Sequence, residues 1–235
     1  MIAGKDYRCA TALGLVLRPE AGPDMPFLGA LYASTRIEEL AATTWNDAQK
    51  AAFLDMQFQA QHAHYRRHYP EADWFVVEHG GERIGRLYIE RWPSQHRIID
   101  IAFLPRHRGK GFGTALLKDL IDEAAAVGKA VSIHVEKNNP ARRLYLRLGF
   151  AVIEDKGVYD LMARPAPSEH DPEKWAPVFG QDHAWSKSRS VEDGLIGVAR
   201  LIAGDGHDED VMRKLAADEA VDRLRQEHFA RPLEL

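Results

Sequence analysis

The sequence predicts a mixed α/β fold followed by a C-terminal helical extension. Strand-like and helix-periodic runs alternate through the second half of residues 13–165, which is typical of a layered α/β domain. A glycine-rich turn at 108–113 stands directly between a strand-like run and a helical one. A linker is indicated where the composition becomes more acidic, by three closely spaced prolines, Pro165, Pro167 and Pro172.

The composition indicates a globular chain. Hydrophobic residues make up 45% and charged residues 28% of 235, which excludes a collagen-like chain, a disordered tail protein and a disulfide scaffold. Cys9 is the single cysteine, so no intrachain disulfide is possible. The net charge of −4 offers no overall attraction to nucleic acid or to an anionic membrane, and we expect neither as a partner.

The charge distribution sets the expected domain boundaries. Residues 166–235 carry an excess of acidic side chains, whereas residues 1–165 are close to neutral. We therefore expect a short N-terminal segment at 1–12, one domain at 13–165 and an acidic, mainly helical extension at 166–235. The apolar run 9–17 has the length of a secretory signal core, but Asp6 before it and Arg18 after it favour an opening strand over 13–17 and a cytoplasmic protein.

The remaining elements follow from periodicity and from turn residues. Asp24 and Asn46 predict the starts of two helices, and Pro70 ends the second. The other expected elements are strands at 74–77, 83–92 and 98–104, a helix at 113–126, a strand at 130–135, a helix at 139–147, and a hairpin of 150–153 with 158–162.

The strongest chemical signal is the glycine-rich turn that opens the helix at 113–126. Glycines permit positive φ and close backbone approach, and a helix start presents N–H groups with a positive dipole end. A strand, such a turn and a helix start together predict an anion site suited to a pyrophosphate.

Two segments in order resemble the GNAT superfamily of N-acetyltransferases. Residues 101–113 read IAFLPRHRGKGFG and are similar to its acetyl-CoA-binding motif, an apolar strand and a proline before Arg/Gln-x-x-Gly-x-Gly/Ala. Residues 133–150 read IHVEKNNPARRLYLRLGF and are similar to its second motif, a strand followed by Asn, Tyr and Leu-Gly-Phe. The resemblance covers about residues 13–164. It implies a mixed, mostly antiparallel central sheet flanked by helices, with strands that splay apart at a cofactor cleft.

The resemblance also implies which residues hold acetyl-CoA. Backbone N–H groups of the loop would hold the pyrophosphate, the end of the preceding strand would pair with the pantetheine arm, and Asn139 would contact that arm. Arg142 and Arg143 form a basic pair that is either solvated or, through one of its two members, in contact with the 3′-phosphate. The expected cofactor-binding residues are Phe103, Leu104, Arg108, Gly109, Lys110, Gly111, Phe112, Gly113, Thr114, Asn139 and Arg143.

The resemblance places Tyr145 beside the thioester sulfur as the general acid. A phenol has a pKa near 10, above that of a thiol, so it stays protonated and can donate to a leaving thiolate. The alternative is that Tyr145 is an aromatic residue of the core without a catalytic role. The general base is open among Asp100, Glu90 and Glu136, each of which could instead be a solvated strand end or part of an ion pair. Polyamine-acetylating members of the family carry an acidic pair on the strand that holds Asp100. Asp100 matches the second member of that pair, and Ile99 replaces the first.

We expect an enzyme that moves the acetyl group of acetyl-CoA to a primary amine, on a small molecule, by direct attack in a ternary complex. The alternatives are acetylation of a protein lysine or N-terminus, and a CoA-binding or sensing module without catalysis. We expect no metal, because His64 and His68 have helical pair spacing without a completing Glu or Cys cluster. A homodimer is possible.

Overall fold

The computed structural model describes residues 7–41 and 43–166. The predicted extension beyond residue 166, with Trp175, Phe179 and Trp185 as its expected anchors, lies outside the described residues. The chain divides into two compact units. Of the described residues, the first unit contains 7–31 and 69–166, and the second contains 32–41 and 43–68.

The first unit holds the sheet and most helices. Its strands are β1 (Leu15–Pro19), β2 (Asp73–His79), β3 (Glu82–Arg91), β4 (Gln95–Phe103), β5 (Ala130–Glu136), β6 (Ala151–Lys156) and β7 (Tyr159–Arg164). Its helices are α1 (Arg8–Ala12), α4 (Phe112–Ala126) and α5 (Arg142–Arg147). Helix α2 (Met25–Arg36) begins in the first unit and ends in the second, which also holds α3 (Asp47–His68).

The seven strands lie in the order β1-β2-β3-β4-β5-β7-β6. Every neighbouring pair is antiparallel except β4 and β5, which are parallel. These two pair only between Gln95–Ile98 and Ala130–Ile133 and separate beyond that point. The predicted mixed, mostly antiparallel sheet with splayed strands is therefore confirmed.

The core of the first unit lies between α4 and one face of the sheet. Helix α4 buries Leu116, Leu117 and Leu120, and the central strands bury alternate residues such as Leu87 and Ile133 against them. This alternation follows from the two-residue period of a strand. The opposite face of β3 is buried as well, so every residue from Ile84 to Glu90 is buried.

The N-terminal segment differs from the sequence prediction. A short helix, α1, occupies part of the expected segment 1–12, and the first strand begins at Leu15 rather than at 13. The Asp119 carboxylate accepts the backbone N–H groups of Cys9 and Ala10, both at 2.8 Å, which fixes α1 to α4. An apolar run this short has no period that separates helix from strand, and Gly14, at φ +72°, makes the break.

The second unit is built on α3. Asn46 and Gln49 exchange reciprocal side-chain to backbone hydrogen bonds of 2.9 Å, which is a capping box at the predicted start. Phe58 packs on Tyr32 with ring centroids 6.0 Å apart. Among the described residues, no cluster of three His, Cys, Asp or Glu side chains could hold a metal ion, and no helix is both long and apolar enough to span a bilayer.

Candidate active site

The cleft begins where β4 and β5 stop pairing, after Ile98 and Ile133. A bulge accompanies the separation, because Ile89 lies opposite Ile98 whereas Tyr88 lies opposite Asp100, which leaves Ile99 as an extra residue. Among the described residues, β4 is paired on one edge only from Ile99 to Phe103, with β3. The other edge of β4 is therefore available to a ligand that pairs with backbone.

The glycine-rich loop lies between the open end of β4 and the start of α4. Gly109 and Gly111 have φ values of +72° and +87°, which a residue with a side chain adopts only under strain. Within the described part of the chain, the N–H groups from Gly109 to Thr114 donate no hydrogen bond. The first backbone bond of the helix is from Ala115 N–H to the Gly111 carbonyl, at 2.9 Å. Six consecutive backbone N–H donors at the start of α4 are therefore without an acceptor among the described residues.

These donors fit a diphosphate. Arg106, Arg108 and Lys110 add positive charge to the same exposed loop, and Glu82 offsets part of it by pairing with Arg106. A Cβ at Gly109 would have no described atom within 4 Å, and a Cβ at Gly111 or Gly113 would make only ordinary contacts. The described residues therefore leave open the space next to these glycines, as a backbone cradle for a phosphate requires.

The backbone of Phe103 and Leu104 leads from β4 into this loop. Leu104 N–H donates to the Ile84 carbonyl at 2.9 Å, and the Phe103 carbonyl accepts Arg108 Nε at 2.8 Å. A carbonyl oxygen has a second lone pair, so this bond leaves one acceptor site. Arg108 therefore lies at the edge that the pantetheine arm is expected to use.

Gly85 is a positioning residue that the sequence analysis missed. It lies opposite Phe103, and a Cβ there would lie 2.4 Å from the Ala102 carbonyl oxygen and 2.8 Å from the Phe103 ring. The close approach of β3 and β4 at the cleft therefore needs glycine. A lone glycine inside a strand-like run was the available signal.

Tyr145 lies on α5 with only 5% of its surface exposed. Its ring packs edge-on against Phe150 at a centroid distance of 5.6 Å. Burial raises the pKa of the Tyr145 phenol well above its usual value, and the negative charge of Asp100 adds to the rise. The phenol is therefore protonated throughout the physiological range, as a general acid must be.

Asp100 lies at the open end of β4 and forms an ion pair. Arg86 Nη2 donates to Asp100 Oδ2 at 2.6 Å, and the two side chains are 4% and 15% exposed. Sequence reasoning did not single out Arg86, although a charged residue within the apolar run of β3 was a visible anomaly.

The structure does not bring Glu90 to the cleft. Glu90 lies on β3 opposite Arg97, where β4 and β5 are still paired. Its carboxylate accepts the backbone N–H of Glu71 at 3.1 Å and the indole N–H of Trp92. Both oxygens therefore hold neutral donors, which is typical of a structural role. Glu136, the third candidate base, accepts the Tyr159 hydroxyl at 3.0 Å farther along β5.

Asn139 and the two arginines lie at the start of α5. Asn139 Oδ1 accepts the Ala141 N–H at 2.9 Å and so shapes the turn. Arg142 binds the buried carboxylate of Asp160 at 2.9 Å, whereas Arg143 is exposed. They share an open depression of about 470 Å³ with Lys137, Asn138 and Pro140. Of the two arginines, Arg143 is the one that pairs with no carboxylate among the described residues.

The chain is similar to several acetyltransferases. Residues 35–150 match the model of the acetyltransferase (GNAT) family. An N-alpha-acetyltransferase of Sulfurisphaera tokodaii is 30% identical over 36% of this chain and 59% of its own length. The L-2,4-diaminobutyric acid acetyltransferase of Nocardia farcinica is 29% identical over 57% of this chain and 72% of its own.

Solved structures with similar chains include the PaiA N-acetyltransferase of Thermoplasma acidophilum in complex with coenzyme A, at 13% identity and a TM-score of 0.49. That match covers 64% of this chain and 98% of the other. The family match spans the splayed strands, the glycine-rich loop and Tyr145. The chain therefore carries a domain of the GNAT family of acetyltransferases.

Proposed function

We propose that this chain transfers the acetyl group of acetyl-CoA to the primary amine of a small molecule, by direct attack of the amine in a ternary complex. The observation that carries the proposal is the set of six backbone N–H groups, Gly109–Thr114, at the start of α4 beside the open edge of β4. A helix start with several uncommitted donors favours a bound phosphate group. Family membership supports acetyl-CoA as the molecule that brings it.

Each part of the cleft then has a task. The loop N–H groups bind the pyrophosphate, the free backbone edge of β4 at Phe103 orients the pantetheine arm, and Arg143 binds the 3′-phosphate. Acetyl-CoA supplies an acetyl group activated as a thioester. Tyr145 Oη holds a proton that it can donate to the departing sulfur, because burial keeps the phenol protonated.

Asp100 is the carboxylate that can receive the acceptor amine. It lies close enough to Tyr145 to influence its pKa, whereas Glu90 is bound to neutral donors where the sheet is closed. Within the described residues, Asp100 Oδ1 accepts no hydrogen bond, so it can accept an N–H of the amine. We therefore assign acceptor binding to Asp100 and a structural role to Glu90.

The two curated relatives favour different acceptors. The relative with the longer match is named for a small amino acid with a free side-chain amine, and the other for N-alpha acetylation. We favour a small-molecule amine because the former match spans more of both chains. Acetylation of a peptide N-terminus is the second candidate.

The test is thiol release from acetyl-CoA with L-2,4-diaminobutyrate, with a tetrapeptide bearing a free N-terminus, or with an acetylated tetrapeptide bearing one lysine. We expect the fastest release with the small diamine. Faster release with either peptide would mean that the acceptor is a peptide N-terminus or a lysine rather than a small-molecule amine. Tight binding of acetyl-CoA by calorimetry with no release for any amine would indicate a sensing module instead.

A further inference from the structure

We propose that Arg86 is a positioning residue for the acceptor: it holds Asp100 Oδ2 so that Oδ1 faces the incoming amine. This inference rests on the proposed function. Its basis is the short bond of 2.6 Å between Arg86 Nη2 and Asp100 Oδ2, made by two side chains with little exposure. A hydrogen bond between charged groups is among the strongest that a side chain makes, so it fixes the carboxylate rotamer.

Arg86 is itself held from a second side. Its guanidinium lies over the ring of Tyr88, 5.1 Å from the centroid. The Tyr88 hydroxyl donates to Glu20 at 2.6 Å, and its ring contacts Trp74 at a centroid distance of 4.6 Å. The planar guanidinium is therefore positioned before any ligand binds, which lowers the entropy lost when Asp100 is ordered.

The bulge at Ile99 is what brings this pair to the cleft. Arg86 lies opposite Ala102 on β4, and Asp100 lies two residues nearer the point where β4 and β5 separate. On the same face of the sheet, the charged and titratable side chains include Tyr88 and Glu90 on β3, Arg97 on β4 and His134 on β5. Arg97 and His134 are hydrogen-bonded to each other. Tyr145 approaches from α5.

The ion pair between Arg86 and Asp100 has a chemical consequence. The Asp100 carboxylate would bind the acceptor as an ammonium ion, by charge and hydrogen bonding. The ammonium would give one proton to solvent water before the nitrogen attacks the thioester carbon, and a second after the C–N bond forms and the C–S bond breaks. The departing thiolate would take the proton of Tyr145, which solvent water would then replace. Arg86 would therefore act mainly on acceptor binding, and its loss should raise KM more than it lowers kcat.

The experiment compares wild type, Arg86→Gln, Arg86→Lys, Asp100→Asn and the Arg86→Gln/Asp100→Asn double variant. The acceptor is whichever of L-2,4-diaminobutyrate and the free N-terminal tetrapeptide the wild type acetylates faster. We expect Arg86→Gln to raise the acceptor KM about tenfold or more, since a hydrogen bond to a charged group is lost. The affinity for acetyl-CoA by calorimetry should stay within threefold. Arg86→Lys should restore most of the acceptor KM.

The double variant separates positioning from independent action. If Arg86 acts through Asp100, the double variant should match Asp100→Asn alone. Arg91→Gln is the matched control, because Arg91 is also a largely buried arginine of β3, and it pairs with Asp73 and Glu123 rather than with a cleft residue. That control should lower Tm and leave the acceptor KM unchanged.

Two results would overturn the inference while leaving the proposed function intact. One is Arg86→Gln behaving like Arg91→Gln, with a lower Tm and an unchanged acceptor KM. The other is independent, multiplying effects of Arg86→Gln and Asp100→Asn. A wild-type chain that acetylates neither acceptor would overturn the proposed function and this inference together, and it is recognised before any variant is made.

Discussion

The two ends of β4 differ in what surrounds them. At its first end, Gln95–Ile98 pairs with β5, and Glu90 across on β3 is held by neutral donors. At its second end, Ile99–Phe103 has a free edge, and Asp100 keeps one carboxylate oxygen that accepts no hydrogen bond from the described residues. The hydrogen-bond partners of these two carboxylates therefore differ between the paired and the separated ends of β4 and β5.

Tyr145→Phe should have the largest effect at the open end. The ring packing against Phe150 remains, and only the proton donor is lost. We expect kcat to fall by roughly 10²-fold, the usual range for one general acid, with acetyl-CoA affinity and Tm preserved. Steady-state rates and calorimetry measure this. A variant with wild-type turnover would assign Tyr145 to packing alone.

Gly113→Ala should weaken acetyl-CoA binding by about tenfold, because a methyl group would intrude where the loop backbone approaches the pyrophosphate. The protein tolerates that methyl group: Gly113 lacks a positive φ, and its Cβ would lie 3.7 Å from the Phe103 ring. Alanine in a helix is also favoured over glycine, so Tm should hold or rise.

Calorimetry and thermal unfolding of the same Gly113→Ala sample separate the two effects. Affinity that is unchanged would mean that the cofactor does not approach this position. A fall in Tm alongside a loss of affinity would mean that the variant disturbs the fold rather than the site.

Glu90→Gln, at the end of β4 that is paired with β5, should lower stability and leave the kinetics unchanged. A neutral amide offers one acceptor oxygen where the carboxylate serves two donors, Glu71 N–H and Trp92 Nε1. We expect a loss of about 1–3 kcal/mol in the free energy of unfolding, with kcat and KM within twofold. Denaturant titration and steady-state kinetics measure the two. If turnover fell as far as in Asp100→Asn, the contrast between the ends of β4 would be lost.

Asp24 provides a reference that belongs to neither end of β4. Arg18 and Arg83 bind its buried carboxylate and hold its pKa well below the usual value. A lowered pKa means that the pair stabilises the fold fully above the unfolded value near pH 3.9, and that this stability is lost as the pH falls further.

Replacing Asp24 by Asn should therefore cost about 1 kcal/mol at pH 7, because both arginines are partly exposed and screened. The difference from wild type should shrink below pH 4. Urea titrations from pH 3 to 7 would show it, and a difference that grew on acidification would contradict the assignment. Turnover at pH 7 should not change.

The sequence predicted those parts of the fold that local patterns determine. The strand expected at 83–92 is observed as Glu82–Arg91, and the helix expected at 113–126 as Phe112–Ala126. The glycine-rich loop was recognisable because its chemistry lies in consecutive residues. The fold class and the family followed from that loop and from the segment around Tyr145.

The partners of the candidate carboxylates could not be predicted. Arg86 meets Asp100 only because of the register of β3 on β4, which the bulge at Ile99 shifts. Glu90 likewise binds Glu71 across 19 positions of the chain. No local pattern encodes a register between strands, so the sequence leaves the general base open among Asp100, Glu90 and Glu136.

Hydrogen–deuterium exchange of the loop amides tests the central claim most directly, namely that the open end of β4 is the acetyl-CoA site. The N–H groups from Gly109 to Thr114 donate no hydrogen bond among the described residues, so they should exchange rapidly in the free protein. Saturating acetyl-CoA should protect these six amides strongly and leave those of Gln95–Ile98 unchanged. Unaltered exchange across the loop, with protection elsewhere in the chain, would contradict the account.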